Sequence, residues 1–185
     1  MSRMSSNTHG VSVVLFYQPG LNFITEAIAA AEFAKLRGAK DVRLMLDDQP
    51  DFQVRMVGVV ENWELTEADI EGRQRGREYK ESANKAMTGV SVVEADPVEN
   101  WIARADQIMS VLRDRATKKA NKNYPVGTRL LIYLNISEFG IRQKETEECM
   151  IDATSPAKNT FSEVWVLWKD KAYQLWVDGN PVGLY

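Results

Sequence analysis

The chain has 185 residues, 44% of them hydrophobic, and 23 Lys and Arg against 26 Asp and Glu give a formal net charge of −3. Enough apolar residues are present for one full core, so a single domain over 11–185 is expected behind a polar, disordered leader over 1–10. The acidic balance argues against a protein that coats nucleic acid non-specifically, and no apolar run reaches the length of a membrane-spanning helix, so no membrane partner is expected.

The apolar run 11–17 is cut short by Gln18-Pro19-Gly20, too early for a signal peptide, and reads as a first strand. A single cysteine, Cys149, permits no internal disulfide and fits a reducing compartment, so a cytoplasmic location is expected. Asn22 can cap a helix that runs to 37 and stops at Gly38. Its alanines (Ala27, Ala29, Ala30, Ala31, Ala34) permit close packing on a sheet. A strand over 42–46 follows. Two more, 51–57 and 59–66, are joined at Gly58.

The segment 71–85 is basic, with Arg73, Arg75, Arg77, Lys80 and Lys85 against Glu71, Glu78 and Glu81. Gly72 and Gly76 make its first half a loop; its second half reads as a helix. Another helix begins at Asp96-Pro97, a cap followed by proline at the first helical position. Trp101, Ile102, Ala105, Ile108, Met109 and Leu112 recur on it at helical spacing and face the core. It ends in Arg113, Arg115, Lys118, Lys119 and Lys122, charges that suit the helix dipole.

The run 130–134 is continuously apolar, as in a central strand buried on both faces. A helix over 143–153 follows, on which Cys149 reads as a small buried side chain. The segments 161–168 and 172–177 form a hairpin turning at Lys169-Asp170-Lys171. Trp165, Trp168, Tyr173 and Trp176 are expected to pack in the core and at its edge. This alternation predicts an α/β fold, a mixed sheet of five or six strands with helices on both faces.

The only histidine, His9, lies in the leader, which excludes a multi-histidine zinc site and a histidine-based triad. Hydrolytic chemistry therefore falls to carboxylates, lysine and arginine. Asp51 begins one motif strand and Glu64 lies near the end of the next, so an antiparallel pairing brings them side by side. Two carboxylates held that close need a cation between them. Oxygen ligands of this kind suit Mg²⁺ or Mn²⁺, able to activate a water and stabilise charge on a phosphodiester. Two residues after Glu64, on the same strand face, stands Thr66. Alternation sends Glu67 to the other face, as a salt-bridge partner or a cap.

Pro50-Asp51, twelve intervening residues, then Glu64-Leu65-Thr66 resembles the motif of the PD-(D/E)XK nuclease superfamily, the restriction-endonuclease-like fold. The resemblance runs from about Asn22 to Trp176, in the order helix, three strands, helix, strand, helix, strand. It implies a restriction-endonuclease-like mixed sheet and a metal-dependent hydrolase of nucleic acid, DNA foremost. Asp51 and Glu64 would hold the metal and carry catalysis, with Thr66 where the motif has lysine. A helical glutamate often joins the metal in this superfamily, here Glu26 or Glu32. They lie about 240° apart around the helix, so one site takes only one of them.

Threonine brings no positive charge, and three expectations follow. Lys80 supplies the missing cation from the helix after the motif strands, a relocation known in the superfamily. Alternatively, Arg73, Arg75 or Arg77 covers the role while binding substrate phosphates. Or the site is catalytically silent and the chain is a binding or structural module. A small chain that cuts duplex DNA often acts as a dimer, so a homodimer belongs to the first two expectations.

Overall fold

The computed structural model describes residues 5–8, 11–14, 21–45, 49–69, 104–136 and 143–183. The elements in chain order are β1 (Ser5–Thr8), β2 (Val11–Val14), α1 (Leu21–Leu36), β3 (Asp41–Leu44), β4 (Phe52–Arg55) and β5 (Val60–Ala68). They continue with α2 (Arg104–Ala120), β6 (Arg129–Leu134), α3 (Gln143–Thr154), β7 (Glu163–Trp168), β8 (Lys171–Val177) and β9 (Asn180–Pro181). A 3₁₀ turn, Ser155–Ala157, follows α3.

Among the described residues nine strands form one mixed sheet in chain order. That is wider than the five or six expected, because short polar strands extend both edges. One of them, β1, lies inside the segment expected as a disordered leader and pairs antiparallel with β2. Backbone hydrogen bonds can hold such a strand without any hydrophobic signature in its sequence. In the centre, β4 runs antiparallel to β3 and β5, while β5, β6 and β7 are mutually parallel.

Strand alternation divides the core into two layers. On one face Phe52, Val54, Trp63, Leu65, Leu131 and Leu167 pack against Ala29, Ala30, Phe33 and Ala34 of α1. On the other, Ala68, Leu130, Ile132, Leu134, Val164 and Val166 meet Ile108, Leu112 and Ala116 of α2 and Met150 and Ala153 of α3. Helices therefore cover both faces of an α/β sandwich. Small residues on α1 leave room for the aromatic layer beneath, where Phe33 meets Trp63 edge-on at 4.7 Å. β6 is buried on both sides, as its unbroken apolar run predicts. Leu131→Ala should open a cavity under α1 and cost about 3 kcal/mol, read from urea unfolding.

Two local devices fix the geometry that matters later. The α1 helix ends at Gly38 (φ 67°), where Gly38 N–H donates to the Lys35 carbonyl (3.0 Å) and Ala39 N–H to the Ala34 carbonyl (2.9 Å). That double bond is a Schellman stop. Gly58 (φ 81°) turns β4 into β5 with Met56 N–H on the Val59 carbonyl (2.9 Å), and the turn sets the register Phe52↔Trp63.

On the α1 face, Arg37 forks onto Glu61 and lies 5.0–5.5 Å from the ring centroids of Trp165, Trp63 and Phe33. Arg129 donates to Glu163 (2.6 Å). Burial works against the Glu163 carboxylate, but the hydrogen bonds from Arg129 and Trp165 outweigh it and hold its pKa below the ordinary value. These pairs anchor the end of α1 to the sheet. Cys149, expected to be buried, is exposed. Thr146, Met150 and Ala153 form the buried stripe of α3, and position 149 turns about 100° away from Met150.

Candidate active site

Asp51 immediately precedes β4, and Glu64 sits inside β5. The register pairs Gln53 with Asn62 and Phe52 with Trp63, so a straight continuation sets Asp51 opposite Glu64. Trp63 and Leu65 belong to the α1 layer, which sends Glu64 to the face covered by α2. The Gln53 amide donates to Asn62 on that same face (2.9 Å).

One ammonium joins the two carboxylates. Lys119 Nζ donates to Glu64 Oε2 at 2.8 Å and lies 3.4 Å from Asp51 Oδ2. The two acids are therefore no further apart than the sum of those contacts, close enough to share a single cation. Asp51 is oriented from the backbone as well, since Leu65 N–H donates to its Oδ2 at 2.6 Å. Glu64 is 3% exposed and Lys119 14%, so their attraction is little screened by solvent. Glu64 Oε1 is buried and has no hydrogen-bond partner. An orphaned carboxylate oxygen there is costly unless a cation or a donor reaches it.

The charges follow from this geometry. Burial pushes the Glu64 carboxyl above its ordinary value, and the hydrogen bond from Lys119 offsets only part of that. Burial acts to lower the Lys119 ammonium, but the Asp51 charge and the hydrogen bond to Glu64 outweigh it and hold its pKa above the ordinary lysine value.

Glu26 stands on α1. Burial first, then the Asp51 charge, raises its carboxyl, with Lys119 opposing and Glu67 adding. Its side chain is exposed, so solvent weakens these effects. Glu32 is exposed, and among the described residues no hydrogen bond or ion pair joins it to Asp51, Glu64 or Lys119. Thr66 is half-buried, two residues beyond Glu64 on the same strand. Glu67 accepts a hydrogen bond from the Asn135 amide (2.6 Å), the pairing of a residue turned away from Glu64. Arg73, Arg75, Arg77 and Lys80 lie outside the described residues. Among the described residues no group of three or more His, Cys, Asp and Glu side chains is arranged to hold a metal ion.

The residue missing from the sequence reading is Lys119, which counts there only as one of five positive charges suiting a helix dipole. A signal was present. Ile108, Leu112 and Ala116 are the buried stripe of α2, and Lys119 stands three residues after Ala116 on the same side. A lysine on a buried stripe needs a carboxylate from the element beneath it. Comparison with known protein families, curated proteins and solved structures gives no match.

Proposed function

We propose that the chain is a metal-dependent nuclease of the restriction-endonuclease-like type, hydrolysing phosphodiester bonds of nucleic acid through Asp51 and Glu64. The observation that carries this reading is the contact of Lys119 Nζ with both carboxylates. An aspartate just before β4, a glutamate on the neighbouring strand and a lysine form the constellation that the Pro50-Asp51…Glu64 motif implies, the lysine arriving from α2 instead of position 66. Among the described residues the run α1, β3, β4, β5, α2, β6, α3, β7 supports it too, being helix, three strands, helix, strand, helix, strand.

The donor set fits a hard cation. Two carboxylates already share one positive charge, and Glu64 Oε1 is buried without a partner; Mg²⁺ is held by one or two carboxylates plus water and substrate phosphate. Asp51 and Glu64 would hold Mg²⁺ or Mn²⁺, which when bound polarises the phosphodiester and makes water a better nucleophile. The chain's own residues do the rest. The Leu65 N–H keeps Asp51 aimed at the site, the desolvated Glu64 holds its charge close to Lys119, and the Lys119 ammonium offsets charge at the scissile phosphate. Glu26 on α1, whose carboxyl the Asp51 charge helps to raise, is the helical glutamate proposed for this role.

The same contact favours a second reading. Lys119 already neutralises the two acids, as a structural ion pair would, leaving a binding or structural module with no turnover. Metal titration by calorimetry, with cleavage of DNA and RNA measured in parallel, separates the two. The nuclease reading expects saturable Mn²⁺ binding and Mn²⁺-dependent cleavage, both lost in Asp51→Ala. A wild type that neither binds Mn²⁺ nor cuts either nucleic acid selects the module.

A further inference from the structure

The cation that joins Asp51 and Glu64 is one the chain supplies itself. Lys119 Nζ lies 2.8 Å from Glu64 Oε2 and 3.4 Å from Asp51 Oδ2, and no third acceptor meets it among the described residues. The three side chains are sheltered unequally. Glu64 is 3% exposed, Lys119 14% and Asp51 27%, so Asp51 is the side open to solvent. Its Oδ2 is held by the Leu65 N–H, while Oδ1 takes no hydrogen bond among the described residues.

Two carboxylates and one ammonium leave this trio with a single negative charge. A divalent ion entering beside the ammonium would make that a single positive charge, in surroundings that screen it little. Two cations drawn to the same oxygens repel each other, so Lys119 must give up its contacts before the ion is well held. The freed ammonium needs an acceptor. It carries three donors on a flexible four-carbon stem, and phosphodiester oxygens only accept. A phosphodiester also brings the one negative charge that restores neutrality once the ion is in.

We propose that Lys119 is a resident counter-ion that weakens metal binding at Asp51 and Glu64 until a nucleic-acid phosphodiester takes over its ammonium. The proposal rests on the nuclease reading for both ligands. Lys119 is the next-to-last residue of α2, where its stem can swing without moving the buried stripe of Ile108, Leu112 and Ala116. While the acids hold the ammonium, it is withheld from phosphate; the ion releases it. Metal and nucleic acid therefore bind with positive coupling, and by linkage each raises the affinity of the other by the same factor. The chain binds its metal best where a strand is present to be cut.

Calorimetry of the full chain with Mn²⁺ alone tests the competition. Lys119→Met and Lys119→Gln both remove the charge, and glutamine can still donate to Glu64, so a neutral variant remains if methionine fails to fold. The neutral variants should bind Mn²⁺ about tenfold more tightly than wild type, and Lys119→Arg should not. Equal or weaker binding in the folded neutral variants would overturn the proposal, as would no Mn²⁺ binding by any form. The coupling is read in Ca²⁺, without turnover, by fluorescence anisotropy with a short labelled DNA duplex and, separately, a single-stranded RNA. A bound ion attracts phosphate in every variant, so the difference between variants decides. The gain in affinity on adding Ca²⁺ should be about fivefold greater in wild type than in the neutral variants. Equal gains, or a wild type that binds neither probe, would overturn the exchange. Cleavage is followed separately in Mn²⁺. Both effects without any wild-type cleavage support the exchange and remove the nuclease activity; cleavage with neither effect keeps the nuclease and overturns the exchange.

Discussion

Lys119→Met is expected to lower metal-dependent cleavage by about 10³-fold, the scale set by removing one preorganised charge from a reacting phosphate or acyl centre. Methionine keeps an unbranched side chain of similar length, so α2 should still pack on β5 and β6, and the change isolates the ammonium. The motif itself provides the rescue. Position 66 lies two residues after Glu64 on the same strand, where the superfamily motif has lysine and this chain has Thr66. Adding Thr66→Lys to Lys119→Met should restore part of the rate by returning the charge from the other side. Cleavage at the wild-type rate by Lys119→Met would remove Lys119 from the chemistry and return the role to Lys80 in the basic segment after β5. Single-turnover kinetics on Lys119→Met and on Lys80→Met distinguishes the two lysines.

The same substitution should cost about 3 kcal/mol of stability at neutral pH, because it strands Glu64, 3% exposed, without its cation. A domain stable by roughly 5–15 kcal/mol remains folded after that loss, so the cleavage measurement on the variant stays meaningful. The pH dependence has a definite sign. The Glu64 carboxyl is already raised by burial, and losing Lys119 raises it further. A carboxyl raised on folding contributes stability below its unfolded value near 4.5, and that contribution is lost as pH rises through the folded value. The variant should therefore lie closest to wild type near pH 5 and fall away toward pH 8 in urea unfolding. Glu64→Gln combined with Lys119→Met should recover more than half of the loss, since no charge is left buried. At the alkaline end the wild type loses its own advantage. Lys119 is raised above 10.5, so its contribution is full below that value and disappears as pH climbs past it. A pH-independent difference between wild type and variant would mean that the pair is not ionised as drawn.

Much of the central fold is legible in the residues, for identifiable reasons. The apolar run at Leu130–Leu134 has no polar face, which requires cover on both sides, and β6 has it. Gly58 between two alternating segments dictates a short antiparallel turn, and that turn fixes which residue of β5 lies opposite Asp51. The adjacency of Asp51 and Glu64 is thus a local property, readable from one hairpin. The position of Lys119 is not local. It depends on how α2, separated from β5 by a long stretch of chain, lies across the sheet, and five neighbouring positive charges serve the helix dipole equally well in sequence. The extra strands escape notice because Ser5–Thr8 and Asn180–Pro181 carry little apolar pattern in sequence. Cys149 shows the limit of composition as a guide. A small apolar residue on a helix is buried only if its angle matches the stripe, and on α3 Met150 holds that angle.

The most direct test of the site is a crystal of the chain soaked in Mn²⁺, read for anomalous density. A peak is expected between Asp51 and Glu64, at ~2.1 Å from an oxygen of each, with Glu64 Oε1 no longer without a partner and the Lys119 ammonium moved off the line between the acids. Absence of a peak at saturating Mn²⁺, with Lys119 still bridging both carboxylates, would contradict it.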